Sequence, residues 1–326
     1  IFFRPQMNLK VLFAIVVLYL VGYHLTHAAT ADGACAEEGT CADRPKWCPE
    51  PWPLNQCLES SGKLAPGPQV PYQEDLIKWE TGLSGHTHYK VDASKTAIFV
   101  IDPQLVYAAC PKEVAVDTLM AGPSTKDFDG HSPLCCEKFY DAVANINKIA
   151  AAARAKGIPV FVIGHVYRDT TGDGKPDNCG RLCDFDVAGW SGWPMAYNLW
   201  NEAFPWSQLV YKSDSEPQGF AVDYDRDFYA EKSVYSAMTA PVVDKLNSLG
   251  IDTLVVTGFM TQFCVTTTAR HAHDLGYRVI IPTDTIDGPI LQELVSGIDE
   301  NAAIGLYLGT AVGDTTSTEE LVGRLQ

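Results

Sequence analysis

Apolar residues fall along this chain in two rhythms. Residues 96–101 (TAIFVI), 158–163, 253–257 and 278–282 are short, nearly unbroken apolar runs rich in Val and Ile. Runs that do not alternate with polar residues are expected of strands covered on both faces, as in a parallel sheet. Between the first two, residues 138–156 carry Phe139, Ala142, Val143, Ile146, Ile149, Ala150 and Ala153 at helical spacing, and Gly157 follows. That spacing predicts a helix with one buried face and a glycine stop. Residues 239–250 lead into the third run and residues 264–276 follow it in the same manner. Strand, helix, strand repeated along a chain implies right-handed parallel crossovers, so the fold class is α/β with a central, mainly parallel sheet.

The ends of these runs deliver chemically capable side chains. The first ends in Asp102-Pro103, and residues 227–238 place Lys232 where a short strand gives way to a loop. The third stops at Gly258, and after a short polar turn Cys264 opens the next helix. In an open parallel sheet ligands bind beyond the carboxyl ends of the strands, so an acid, a lysine and a thiol are expected to meet there. A thiol in the first turn of a helix lies among unpaired N–H groups at the positive end of the dipole, which is expected to lower its pKa. The same N–H groups can hold a developing oxyanion. For Cys264 alone, the competing reading is a buried structural cysteine.

Four pieces of sequence, in order over residues 94–326, carry a family likeness: Ile101-Asp102-Pro103, His165-Val-Tyr-Arg168, Lys232-Ser-Val-Tyr-Ser236 and Gly258-Phe-Met-Thr-Gln-Phe-Cys264-Val. Together they resemble the isochorismatase-like cysteine hydrolases, which include nicotinamidase, N-carbamoylsarcosine amidase and ureidoacrylate amidohydrolase. The resemblance implies a three-layer α/β/α, Rossmann-like fold and a catalytic set of Asp102, Lys232 and Cys264. Asp102 would take the thiol proton and return it to the leaving amine, with Lys232 cationic beside it; Cys264 would attack a carbonyl to give a thioester that water hydrolyses. An oxyanion hole of the Met260 and Cys264 backbone N–H groups is implied as well, with a cis peptide between Phe259 and Met260.

Departures from the family pattern narrow the substrate class. Nicotinamidases of the family carry Asp-x-His and a further His near the second strand for a metal ion, where this chain reads Gly164-His165-Val-Tyr-Arg168; the true isochorismatases lack the cysteine. The resemblance thus points to hydrolysis of a C–N bond in a small linear amide, ureido or carbamoyl compound with no cofactor required, nicotinamidase-type or isochorismatase-type activity being the alternatives. Arg168 is a candidate clamp for a substrate carboxylate, or else pairs with one of the many nearby Asp residues. His165, Tyr235 and Gln262 are further candidates for the substrate site, each with a packing or capping alternative. No chemistry is assigned to His271 and His273, which fall farther along the helix.

Composition sets the frame around this domain. The chain has 326 residues, 46% of them hydrophobic, enough for one α/β domain with appendages. A formal net charge of −16 and no basic run argue against nucleic-acid and anionic-membrane partners. Met7-Asn-Leu-Lys10, the apolar residues 11–25 and small residues at 28–31 read as a signal peptide over residues 7–28, with an uncleaved anchor as the alternative, and residues 1–6 read as upstream translation or a fragment edge. The run is short for a membrane span, so a secreted or lumenal protein, off the membrane after cleavage, is expected. Cys35, Cys41, Cys48 and Cys57 predict a disulfide-stapled extension over residues 29–93, which includes a Pro-rich linker at 66–71, ahead of the hydrolase domain at 94–326. If Cys264 is free, nine cysteines remain and one more should be unpaired. A homo-oligomer acting on a small-molecule amide is expected.

Residues 168–212 are an insertion. Asp169, Asp173 and Asp177 are spaced like the start of a calcium loop, making structural calcium the candidate metal, but the twelfth position from Asp169 is Gly180 and an Asp-rich turn competes. Four of the seven tryptophans (190, 193, 200, 206) also lie here, as a pocket wall or as loop packing. Cys179-x-x-x-Cys183 lacks the flanking pair of a zinc site. For the whole chain, the alternatives are a secreted non-catalytic binding protein on the same fold and a thiol redox protein, against which the lack of Cys-x-x-Cys speaks.

Overall fold

The computed structural model describes residues 44–49, 51–67, 69–70, 79–81, 87–110, 132, 134–173, 176–180, 182, 207–290, 293–294 and 297–325. Its strands are β1 (Cys57–Leu58), β2 (Trp79–Thr81), β3 (Thr87–Tyr89), β4 (Thr96–Ile101), β5 (Val160–His165), β6 (Phe228–Lys232), β7 (Thr253–Phe259), β8 (Arg278–Pro282), β9 (Ile286–Asp287) and β10 (Asp314–Thr316). The unbroken apolar runs are β4, β5, β7 and β8, and every residue of β4, β5 and β7 is buried. β2 and β3 make a separate antiparallel hairpin; the others share one parallel sheet in the order β1-β6-β5-β4-β7-β8-β10, with β9 beside β7.

Helices α1 (Leu105–Ala108), α2 (Phe139–Ala155), α3 (Ala240–Ser248), α4 (Thr266–Asp274), α5 (Glu300–Ala311) and α6 (Thr318–Arg324) cover both faces. The seven apolar residues expected to face inward from α2 are all buried. Alternation along β4 sorts the layers. Ile98 and Val100 pack with Phe139, Val143 and Ile146 of α2 and Leu321 of α6, whereas Ala97, Phe99 and Ile101 pack with Val242 and Leu246 of α3, Ala269 and Ala272 of α4 and Leu308 of α5. The result is a three-layer α/β/α fold.

From central β4 the chain steps outward through β5 to β6, then returns to place β7 on the other side of β4. The strand order reverses there, and the crevice beyond the carboxyl ends of β4 and β7 is where such a sheet accommodates a ligand. One glycine permits the close approach. Gly258 is opposite Ile101 in the β4–β7 register, has φ 109°, and a Cβ at that position would lie 2.0 Å from the Ile101 carbonyl oxygen.

The described part of the N-terminal extension is built into this domain. Cys48 and Cys57 form a disulfide, and β1 continues the sheet edge beyond β6. Fully buried Trp52 packs on Tyr224 and Tyr229 and donates Nε1–H to Tyr211 Oη at 3.2 Å. Cys110 pairs with Cys135, and Cys179 is disulfide-bonded too. Among the described residues the free cysteines are Cys136 and Cys264, so Cys136 is a second unpaired thiol. The signal stretch, Cys35, Cys41, Cys183 and the four tryptophans of the insertion lie outside the described residues.

Candidate active site

Four strands converge on one buried cluster. Asp102 follows β4 with φ 50°, a left-handed conformation that aspartate tolerates better than most residues, and Pro103 then fixes the turn. Its backbone N–H bonds the Ile163 carbonyl at 2.8 Å. Lys232 ends β6, His165 ends β5, and the two are opposite each other in register. After β7, the Phe259–Met260 peptide is cis, and a π-helical turn, Thr261–Val265, carries Cys264 straight into α4. The Met260 carbonyl accepts from Phe263 N–H and Val265 N–H, which straddle Cys264.

Lys232 Nζ lies 2.8 Å from Asp102 Oδ2 and 3.2 Å from Cys264 Sγ. His165 Nδ1 stands 3.7 Å from the same sulfur. None of the four side chains exceeds 1% exposure. Burial raises the Asp102 pKa, and Lys232 holds back the rise. For Lys232 burial opposes the ammonium, but Asp102 and Cys264 outweigh it and the pKa ends above its ordinary value. The Cys264 thiol is pushed up, by burial first and Asp102 second, against the pull of Lys232. The helix N-terminus leads one to expect a lowered thiol pKa, whereas burial and the neighbouring carboxylate push the Cys264 thiol up.

Asp102, His165 and Cys264 offer ligand atoms all within 4.8 Å of one another, a grouping with metal-ligand spacing and the one found among the described residues. The Lys232 ammonium sits in that grouping and supplies the positive charge a metal ion would bring.

The other sequence candidates are placed as follows. Arg168 is committed inside the protein: its guanidinium forks onto Glu231, Nε to Oε2 at 3.1 Å and NH2 to Oε1 at 2.7 Å, and NH2 also reaches the Lys46 carbonyl. Burial raises the Glu231 pKa and Arg168 opposes that, so the expected substrate clamp is instead the counter-ion of a buried acid. Gln262 donates to Glu300 of α5 at 3.1 Å. Tyr235 packs edge-on against the His165 ring and in a tilted contact with Phe263. In the expected calcium loop, Asp169 Oδ1 accepts from the N–H groups of Thr171, Gly172 and Asp173, while Asp177 accepts from Thr170 and Thr171. These carboxylates accept hydrogen bonds from the loop's own backbone, as in an Asx-type turn. His271 Nδ1 meets Ser236 Oγ at 3.0 Å, a structural contact.

Gln104 went unremarked in the sequence. Its Oε1 accepts from His165 N–H at 3.0 Å, and its Nε2 donates to the His165 carbonyl at 2.9 Å and to Ser207 O. Two residues beyond Asp102, it ties the acid's turn to the end of β5. A Gln close behind a strand-end acid was the available signal.

Residues 96–293, more than half of the chain, match the isochorismatase domain family. The chain belongs to the isochorismatase family. This family member is 30% identical over 196 residues to N-carbamoylsarcosine amidase of Arthrobacter sp., which covers 59% of the chain and 64% of that relative. It is 27% identical over 132 residues to nicotinamidase 3 of Arabidopsis thaliana, covering 40% and 56%. The chain thus spans less than two thirds of either relative. A cysteine hydrolase from Pseudomonas syringae shares the fold, with a TM-score of 0.54 and 21% identity over 73% of this chain and 95% of that one. The isochorismatase-family hydrolases similar to this chain thus include an amidase type.

Proposed function

We propose that this isochorismatase-family protein is an exported cysteine amidohydrolase that cleaves the C–N bond of a small linear amide, ureido or carbamoyl compound. The observation that carries this is the contact of one buried thiol with one buried ammonium–carboxylate pair. A protein that only binds has no use for these groups, since burying an ion pair and a thiol together costs stability.

At rest Lys232 donates to Asp102 Oδ2 and to Cys264 Sγ, and Asp102 Oδ1 is buried with no hydrogen-bond partner, available to receive the thiol proton. As a substrate carbonyl reaches Sγ, the thiol proton passes to Asp102 and the sulfur electron pair forms the C–S bond. The carbonyl oxygen becomes the oxyanion, facing the Met260 and Cys264 N–H groups at the start of the helix. Collapse expels the amine, which takes the proton from Asp102 as the C–N bond breaks. Water then attacks the thioester, releases a carboxylic or carbamic acid and restores the thiol. A raised thiol pKa suits this sequence, because at neutral pH the proton leaves the sulfur chiefly as a carbonyl arrives to accept its electron pair.

Export is supported by the signal-like residues 7–28 together with two disulfides among the described residues, a cysteine usage typical of oxidising compartments. The function itself is tested by ammonia or amine release from primary amides, ureido acids and carbamoyl amino acids, with Cys264→Ala as control. Release that vanishes in the variant supports the proposal; release that persists, or none from any compound, contradicts it.

A further inference from the structure

We propose that His165 is a fourth residue of the reacting centre, directing Nδ1–H at Cys264 Sγ and holding the sulfur as its proton leaves for Asp102. This rests on Cys264 being the nucleophile, and it assigns a role that the acid, lysine and thiol do not cover.

The geometry supplies the case. Nδ1 lies 3.7 Å from Sγ, a hydrogen-bond separation for a large acceptor such as sulfur. The ring cannot easily turn away. Gln104 clamps the His165 main chain through both its N–H and its carbonyl, and Tyr167 and Tyr235 flank the imidazole edge-on, with ring centroids 4.9 Å and 6.2 Å away. Nε2 is buried and has no hydrogen-bond partner. A neutral imidazole carries one proton, on either nitrogen. On Nε2 it would be a buried donor without an acceptor, and Nδ1 would turn a lone pair toward a sulfur that is gaining charge. On Nδ1 it faces the sulfur, which is the less costly tautomer.

Burial and the Lys232 ammonium keep the His165 pKa well below its ordinary value, so the ring stays neutral and adds a dipole rather than a second charge. Lys232 alone balances the Asp102 carboxylate. His165 then acts on the sulfur as negative charge builds there, when a hydrogen bond to it strengthens most. The other titratable groups that face the sulfur are Asp102, Lys232 and Tyr107, all untouched by the test below.

The test compares wild type, His165→Phe and His165→Asn for the rate of Cys264 alkylation by iodoacetamide across pH, read by peptide mass mapping without substrate. Phe keeps an aromatic ring between the tyrosines but removes the donor, whereas the Asn amide places an N–H near the position of Nδ1. At pH 8 His165→Phe should react about tenfold more slowly, its profile displaced to higher pH, as expected for loss of one hydrogen bond to a charged group. His165→Asn should stay within about threefold of wild type. If the Phe variant does not fold, His165→Gln, whose amide mimics Nε2, replaces it and should also be slow. A Phe or Gln variant with the wild-type profile, or an Asn variant as slow as either, overturns the inference. So does a wild-type Cys264 that resists the reagent at every pH. Failure to hydrolyse any amide, with the alkylation pattern intact, would sink the proposed function and leave this assignment standing.

Discussion

Replacing Lys232 by Met probes the charge balance of the site most sharply. The ammonium lies 2.8 Å from Asp102 with both side chains buried. Two unit charges at that distance attract by about 6 kcal/mol at an effective dielectric of about 20. Part of this offsets the cost of desolvating the pair, and removing one partner of a buried pair typically destabilises by about 3–5 kcal/mol. The sign with pH follows from Asp102. Its pKa is already raised by burial with Lys232 restraining it, so without Lys232 the carboxyl takes up a proton in the folded state far more readily than in the unfolded chain. A group with a raised folded pKa favours the folded state when protonated. The Lys232→Met deficit should therefore be largest at neutral pH and shrink as pH falls toward the ordinary carboxylate range. Asp102→Asn combined with Lys232→Met removes both charges and should recover most of the lost stability while leaving hydrolysis abolished. Urea unfolding from pH 4 to pH 8 on wild type, both single variants and the double variant measures all of this. A Lys232→Met deficit below about 1 kcal/mol, independent of pH, would refute the reasoning.

Other outcomes follow from individual contacts. Alkylation of Cys264 in the ligand-free wild type should keep rising with pH past 9, where an ordinary thiol levels off, because burial and Asp102 hold the proton on the sulfur; a plateau below pH 8 would contradict this. Gly258→Ala should lose about 3 kcal/mol or more in urea unfolding, since it adds an unfavourable φ to a clash with the Ile101 carbonyl. Arg168→Met should cost about 3–5 kcal/mol by stranding Glu231, yet leave KM for a substrate carboxylate unchanged if the protein is kept folded with osmolyte. Gln104→Ala should lower kcat by about tenfold or more with little change in KM, because it frees the end of β5 that holds His165.

Unbroken apolar runs made β4, β5, β7 and β8 legible, because strands covered on both faces admit few polar residues. Asp102 and Cys264 stood out because each follows such a run, and Lys232 because it stands where a short strand gives way to a loop; topology then decides that strand ends share a crevice. Other features had no local signature. Two-residue β1 carries no period, so its addition to the sheet edge depends on the Cys48–Cys57 bridge and on Trp52 finding its tyrosines. Strand β10 and helices α5 and α6 were not anticipated, α5 being apolar on every side and so without a helical stripe. Arg168 looked available because its partner, Glu231, lies 63 residues away on a neighbouring strand. The direction of the Cys264 pKa shift was missed for a related reason: position in a helix can be read from sequence, but complete burial beside Asp102 cannot.

Interception of the covalent intermediate bears most directly on the central claim. Wild-type protein mixed with a turned-over amide, acid-quenched within milliseconds and digested should yield the peptide containing Cys264 heavier by the acyl group, and Cys264→Ala should yield none. An unmodified Cys264 peptide during steady turnover, or an acyl group on another residue, would show that this sulfur is not the nucleophile.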